Sequence, residues 1–115
     1  RIQRRQNPEM VIQLAWIEWL EARQWFVKPT HGSMYQSGFP DLYCTHEQYG
    51  KRWVEVKLLE MKGSKFTKAQ IIEFPKFIAH GTPIWILTKV CEQEYRKLFD
   101  QKEANFNEYL LMKNW

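Results

Sequence analysis

The chain has 115 residues, 44% of them hydrophobic and 16% aromatic, which is enough for the core of one compact domain over 1–115 and too little for a second. No apolar stretch is long enough to cross a bilayer and nothing resembles a signal peptide, so we expect a soluble, intracellular, cytoplasmic protein that does not contact membranes. The formal net charge of +4 suits a polyanionic partner without requiring one, and the two cysteines lack the spacing of zinc ligands.

The first predicted element is a helix from about Pro8 to Gln24. Asn7 has the form of an N-cap, Pro8 suits the first helical position, and Glu9 places an acid in the first turn. The apolar residues of this segment cover more than one stripe, which indicates a helix that is buried over much of its surface. Residues 28–38 contain turn-forming residues without a sustained period and are predicted to form a loop or a short irregular strand.

A β-hairpin and a second helix are predicted next. The β-branched and aromatic content rises over 41–45 and 53–59, and polar residues with a glycine lie between these two segments. Thr67 and Gln70 have the spacing of a capping box, which predicts that a helix begins here. Pro75 should kink this helix or shorten its first half.

The last predicted elements are a strand and a helix. Residues 84–89 form a short apolar run, and its position after a helix implies a crossover that lays it parallel to the preceding strand. Residues 92–102 are predicted to be helical, while 105–115 fit either a helix or a strand. The predicted fold class is therefore α/β, with a central mixed β-sheet flanked by helices.

The hairpin places three charged side chains on one face. If its centre is Gln48, Asp41 lies opposite Glu55 with Cβ atoms about 5 Å apart. Lys57 follows Glu55 by two residues and projects from the same face of the strand. Opposed carboxylates destabilise a sheet unless something neutralises them, and a hard divalent cation does so directly. Such an ion can polarise a phosphoryl oxygen and activate water, so the pattern suits phosphodiester hydrolysis.

A simpler interpretation is open for each of these residues. Glu-x-Lys on a strand is usually a solvated face or a surface ion pair, and Asp41 could be an ordinary turn residue after Pro40. The combination favours a metal site, because Gly38-Phe39-Pro40-Asp41 enters a strand, Glu55 and Lys57 are in phase, and a helix begins soon afterwards.

Pro40-Asp41 followed by Glu55-Val56-Lys57 resembles the signature of the PD-(D/E)XK nuclease superfamily. Four motifs occur in chain order, namely Glu9-Met10-Val11-Ile12-Gln13, Gly38-Phe39-Pro40-Asp41-Leu42, Glu55-Val56-Lys57 and Gln70. This wider pattern is similar to that of the virus-type replication-repair nuclease (VRR-NUC) domains, a name that suggests a phage or viral source. The resemblance covers about 8–89 and leaves 90–115 as a C-terminal extension. It implies a restriction-endonuclease-like three-layer core.

The resemblance also implies how the central residues act. Asp41 and Glu55 would ligate Mg²⁺, for which Mn²⁺ can substitute, and the main-chain carbonyl of Val56 would be a further ligand. Lys57 would serve the nucleophilic water.

Two other residues of the motifs have strong structural alternatives. Glu9 would complete the acidic set directly or through water, although an acid in the first turn also stabilises the helix dipole. Glu18 and Glu21 are fallback acids on the same helix. Gln70 would orient Lys57 or a phosphate near the metal, although the capping box explains it equally well.

Contacts to a nucleic acid backbone are predicted from basic and loop residues. Scattered lysines and a lone loop histidine are more often solvated surface, and most of the six tryptophans are more often core than base-stacking platforms. The candidate contacts are His31, Ser33, Lys62, Lys65 and Lys68.

The sequence therefore predicts a metal-dependent deoxyribonuclease, an endonuclease that selects DNA by its shape or structure. The alternatives are a Holliday junction resolvase or a site-specific restriction or homing endonuclease that works as a homodimer, and an inactive nucleic-acid-binding module with the same fold. Because no recognition module is appended in this sequence, substrate preference would come from DNA shape, from oligomerisation, or from a replication or repair partner protein. A purely structural protein would bind no metal.

Overall fold

A four-stranded mixed sheet forms the centre of the protein. The computed structural model describes residues 8–30, 38–58 and 66–100. The strand order is β1-β2-β3-β4, with two antiparallel pairings and a parallel pairing between β3 and β4. The elements are α1 (Pro8–Glu21), β1 (Trp25–Pro29), β2 (Leu42–His46), β3 (Gly50–Val56), α2 (Lys68–Ala79), β4 (Ile84–Leu87), α3 (Glu92–Tyr95) and α4 (Lys97–Asp100).

Helices pack on both sides of this sheet. On the first face, Trp16 and Leu20 of α1 and Leu98 of α4 contact the strands, and the Trp16 Nε1 donates to the carbonyl of Thr88 over 2.7 Å. On the second face, Phe74 of α2 packs over β3 and β4. The result is a helix–sheet–helix arrangement with a core on each face. The buried strand residues of the first face are Trp25, Val27, Leu42, Cys44, Val54, Val56, Trp85 and Leu87.

The hairpin, the capping box and the parallel crossover are confirmed. The Thr67 side chain accepts from the Gln70 N–H, the Gln70 side chain accepts from the Thr67 N–H, and the helix continues through Pro75 to Ala79 without the expected shortening. β4 lies parallel to β3, with Val54 beside Trp85. The predicted α/β class with a mixed sheet between helices is therefore confirmed.

Residues 28 and 29, predicted as the start of a loop or a short irregular strand, belong to a regular strand that begins earlier. β1 begins at Trp25, directly after a turn in which Gln24 has a positive φ of 76°, and it pairs along its whole length with β2. Its edge position explains how Pro29 fits, because a proline lacks the N–H that an interior strand would need. α1 correspondingly ends at Glu21 rather than Gln24.

α1 is less buried than its composition predicts. Gln13, Trp16 and Leu20 form a single buried stripe, whereas Met10, Val11 and Leu14 are 44%, 46% and 51% exposed. Ile12, Ile17 and Trp19 flank the stripe and are partly buried against the core. No helix among the described residues has the length and apolar character needed to cross a membrane.

The C-terminal helix is also divided. Two short helices, α3 and α4, replace the predicted continuous one, with Arg96 between them. The ambiguous segment 105–115 and the predicted N-cap Asn7 lie outside the described residues.

Candidate active site

The pairing of β2 with β3 brings Asp41 and Glu55 together. Leu42 pairs with Val54, so Asp41, the residue before β2, lies level with Glu55. The Asp41 N–H donates to Glu55 Oε1 over 3.1 Å, and the Val56 N–H donates to Asp41 Oδ2 over 2.9 Å. Each carboxylate is thus fixed by the main chain of the opposite strand.

Burial makes ionisation of this pair unfavourable. Glu55 is 2% exposed, and its pKa is raised well above the usual value, first by burial and then by the charge of Asp41. Burial also raises the pKa of Asp41 to about 6, against the lowering effects of its hydrogen bond from Val56 and of the Lys57 charge. A divalent cation bound by these two carboxyl groups would stabilise their ionised forms.

Lys57 and Gln70 complete a buried polar network around Glu55. The Lys57 Nζ donates to Gln70 Oε1 over 3.0 Å and lies 3.4 Å from Glu55 Oε2. The Gln70 Nε2 donates to the same Glu55 oxygen over 2.8 Å. The Lys57 ammonium also lies 4.8 Å from the centre of the Phe66 ring. Lys57 is therefore held beside the carboxylates by contacts on several sides.

Gln70 forms the predicted cap and also contacts two residues of the site. Its Oε1 accepts from the Thr67 N–H as part of the cap of α2, and its amide joins Lys57 to Glu55. The start of α2 is thereby tied to the β-sheet at the carboxylate pair.

Glu9 lies near the pair but does not form a three-acid cluster with it. Its charge raises the pKa of Asp41, which places it within electrostatic reach. Among residues 8–30, 38–58 and 66–100, no three His, Cys, Asp or Glu side chains are grouped so that they could hold a metal ion. The fallback acids Glu18 and Glu21 are exposed on α1.

Comparison with solved structures finds one described as a VRR_NUC domain. It is 22% identical to this chain, has a TM-score of 0.62, and is matched over 81% of this chain and 96% of its own length. The chain has the fold of a VRR-NUC domain. The expected three-layer core and the resemblance noted in the motifs are thus confirmed at the level of the fold. No family model and no curated protein matches the sequence.

Of the remaining candidate residues, Lys68 alone lies among those that the structure describes. Lys68 is exposed in the first turn of α2, two residues before Gln70. The other candidate contacts lie outside the described residues, namely His31, Ser33, Lys62 and Lys65.

Two aromatic residues near the site were missed as site residues. Tyr43 pairs directly with Trp53, and this pair lies two residues along each strand from Asp41 and Glu55. Both aromatic rings are only partly buried. The sequence could have indicated this pair, because a hairpin centred on Gln48 places Tyr43 opposite Trp53.

Proposed function

We propose that this protein is a metal-dependent nuclease that hydrolyses DNA phosphodiester bonds, using Mg²⁺ or Mn²⁺, and that it acts as an endonuclease guided by the shape or structure of the DNA. One observation carries the proposal. Asp41 and Glu55 meet at paired strands with Lys57 beside them, in a chain with the fold of a VRR-NUC domain.

The donor set fits a hard divalent cation. Asp41 and Glu55 offer carboxylate oxygens, burial raises the pKa of both, and the charge of Asp41 raises the pKa of Glu55 further. The carbonyl of Val56 would add a ligand, and Glu9 would act through water. When bound, the cation would neutralise the two carboxylates and polarise a phosphoryl oxygen.

The protein's own residues would supply positioning and charge. Lys57 is 2% exposed, and its ammonium group donates to Gln70 and lies 3.4 Å from a Glu55 oxygen, beside the carboxylates. From this position it would orient the attacking water and stabilise the negative charge that develops on the phosphoryl group. Electrostatic stabilisation of this kind is effective when the charged groups are already in place before the reaction, and the hydrogen bonds of Lys57 would provide this.

The test is cleavage of supercoiled plasmid, linear duplex, single strand and four-way junction with Mg²⁺ or Mn²⁺. We expect metal-dependent cutting that Asp41→Ala and Lys57→Ala both abolish, and the preferred substrate names the class of nuclease. Glu92→Ala and Arg96→Ala are matched controls, because they remove one exposed charge of each sign from residues that have no proposed part in the site.

Three outcomes would contradict the proposal in different ways. DNA binding without cutting under either metal would indicate the inactive binding module. Cutting that ignores both substitutions would mean that the site is elsewhere. Absence of Mn²⁺ binding by calorimetry would leave no support for a metal site.

A further inference from the structure

The second face of the sheet carries a continuation of the carboxylate pair. Side chains on one face of a strand recur every second residue, so successive rows lie about 7 Å apart. The row after Asp41 and Glu55 contains Lys28, Tyr43 and Trp53, which are consecutive partners across β1, β2 and β3. The next row contains Phe26, Thr45 and Lys51.

This part of the face is open to solvent. α2 covers β3 and β4 through Phe74, but Phe26 on β1 is 59% exposed, and Tyr43 and Trp53 are only partly buried. A cavity of about 600 Å³ borders the two rows, lined in part by Tyr43, Lys51 and Trp53. Partly exposed aromatic rings beside a cavity of this size can accept a planar ligand.

The aromatic rings form a continuous series that leads to the carboxylates. The ring centres of Tyr43 and Trp53 are 4.9 Å apart, and Phe39 lies 6.3 Å from Trp53. Phe39 is 38% exposed and precedes Asp41 by two residues. The series therefore begins next to the acid pair and extends along the sheet away from it.

Two lysines belong to the same rows as these rings. Lys28 and Lys51 are exposed, and neither forms an ion pair with a described carboxylate. The Lys28 Nζ lies 5.8 Å from the centre of the Phe26 ring. Glu73, an acid of α2, pairs with Lys76 instead. Exposed aromatic rings with unpaired lysines are complementary to a polyanion that carries planar groups.

We infer that this surface, defined by Phe26, Lys28, Tyr43, Lys51 and Trp53, stacks the unpaired bases of a single nucleic acid strand whose phosphate lies at Asp41 and Glu55. A base inside a duplex presents only its edges, whereas an unpaired base presents a face on which an aromatic ring can stack. The inference rests on the proposed nuclease function and narrows its substrate to DNA with single-stranded character.

The experiment is equilibrium binding in EDTA, where no cleavage interferes. Three labelled ligands of equal length are compared, namely oligothymidylate, its duplex with oligoadenylate, and an abasic strand with the same phosphates. We expect the wild-type protein to bind oligothymidylate more tightly than the other two. Phe26→Ala and Tyr43→Ala should raise the dissociation constant for oligothymidylate about 5- to 100-fold and leave that for the abasic strand unchanged.

The two lysines give an independent readout. Lys28→Gln and Lys51→Gln should weaken binding of oligothymidylate and of the abasic strand equally. In a plot of the logarithm of the binding constant against the logarithm of the salt concentration, each substitution should make the slope shallower by about 0.7. Leu14→Ala and Arg96→Gln are matched controls, because Leu14 is exposed on α1 and Arg96 is exposed between α3 and α4, in the part of the protein that packs on the first face. Thermal unfolding of every variant separates lost binding from lost folding.

The inference is overturned if both aromatic substitutions leave oligothymidylate binding unchanged, if they weaken binding of the abasic strand as strongly, or if the wild type prefers the duplex. Failure of the nuclease proposal gives a different result. In that case no DNA is cut under any metal, while oligothymidylate binding still depends on Phe26 and Tyr43.

Discussion

The two faces of the β2–β3 hairpin use alternate residues of the same strands for opposite purposes. Leu42 and Val54 turn to the first face and are fully buried among apolar side chains. Their neighbours Asp41 and Glu55 turn to the second face, where burial raises the pKa of both acids. The apolar packing of the first face therefore stabilises the strands that carry the two buried carboxyl groups on the second face.

The comparison also indicates what each face contributes to stability. Burying an ionised group disfavours folding unless it is paired, whereas burying an apolar side chain favours folding. Natural sites commonly give up stability for function in this way. We therefore expect substitutions on the second face to affect activity, and substitutions on the first face to affect stability.

The largest effect is expected for Glu55→Gln. The amide keeps the shape but removes the charge that would hold the cation, so the cleavage rate should fall by about a thousandfold or more. In metal-free buffer the melting temperature should stay the same or rise, because the wild-type carboxylate is 2% exposed and costly to ionise. Cleavage assays and thermal unfolding measure the two effects. Retained cleavage would remove Glu55 from the site.

Leu42→Ala tests the first face at the position next to Asp41. Leu42 is completely buried, and its truncation should lower the free energy of unfolding by about 2–5 kcal/mol. Urea denaturation measures this loss, and Leu14→Ala, at a position 51% exposed, should change it by less than about 0.5 kcal/mol. Cleavage by the folded fraction should be retained. Loss of activity in a fully folded Leu42→Ala protein would mean that the two faces are not separable.

Much of this arrangement follows from local sequence. The hairpin register needs only a period of two and a centre at Gln48, which places Asp41 level with Glu55. The cap of α2 needs only the spacing of Thr67 and Gln70. Features of this kind depend on residues that are close in the chain, so they can be predicted without knowledge of the tertiary structure.

Other features depend on contacts between distant segments and could not be predicted. β1 is defined by its pairing with β2, and Pro29 within it resembles a turn residue when viewed alone. The contact of Gln70 with Glu55 requires α2 to return to the sheet. Composition likewise cannot show that Leu14 is exposed while Trp16 is buried, because only the packed neighbours decide that.

Raising the pH should strengthen metal binding and lower the stability of the metal-free protein. The Asp41 carboxyl, with a pKa of about 6, must lose its proton before it binds a cation, so Mn²⁺ affinity should fall about tenfold per pH unit below about pH 6. Without metal, the native state keeps a proton that the unfolded state, with the ordinary pKa of 3.8, has lost. The Asp41 contribution to stability therefore falls as pH rises from about 4 to about 6. Calorimetry and thermal unfolding across this range measure the two trends, and Asp41→Asn should reduce each trend to the part that Glu55 contributes.

The smallest effect separates the two roles of Gln70. Thr67→Ala removes the cap and should cost about 1 kcal/mol of stability while leaving the pH dependence of cleavage unchanged. Gln70→Ala also removes a hydrogen bond that lowers the pKa of Glu55, so the acid limb of the cleavage profile should move to higher pH. If both variants lose the same stability and keep the wild-type pH profile, Gln70 is only a cap, and the link between α2 and the carboxylate pair has no part in the chemistry.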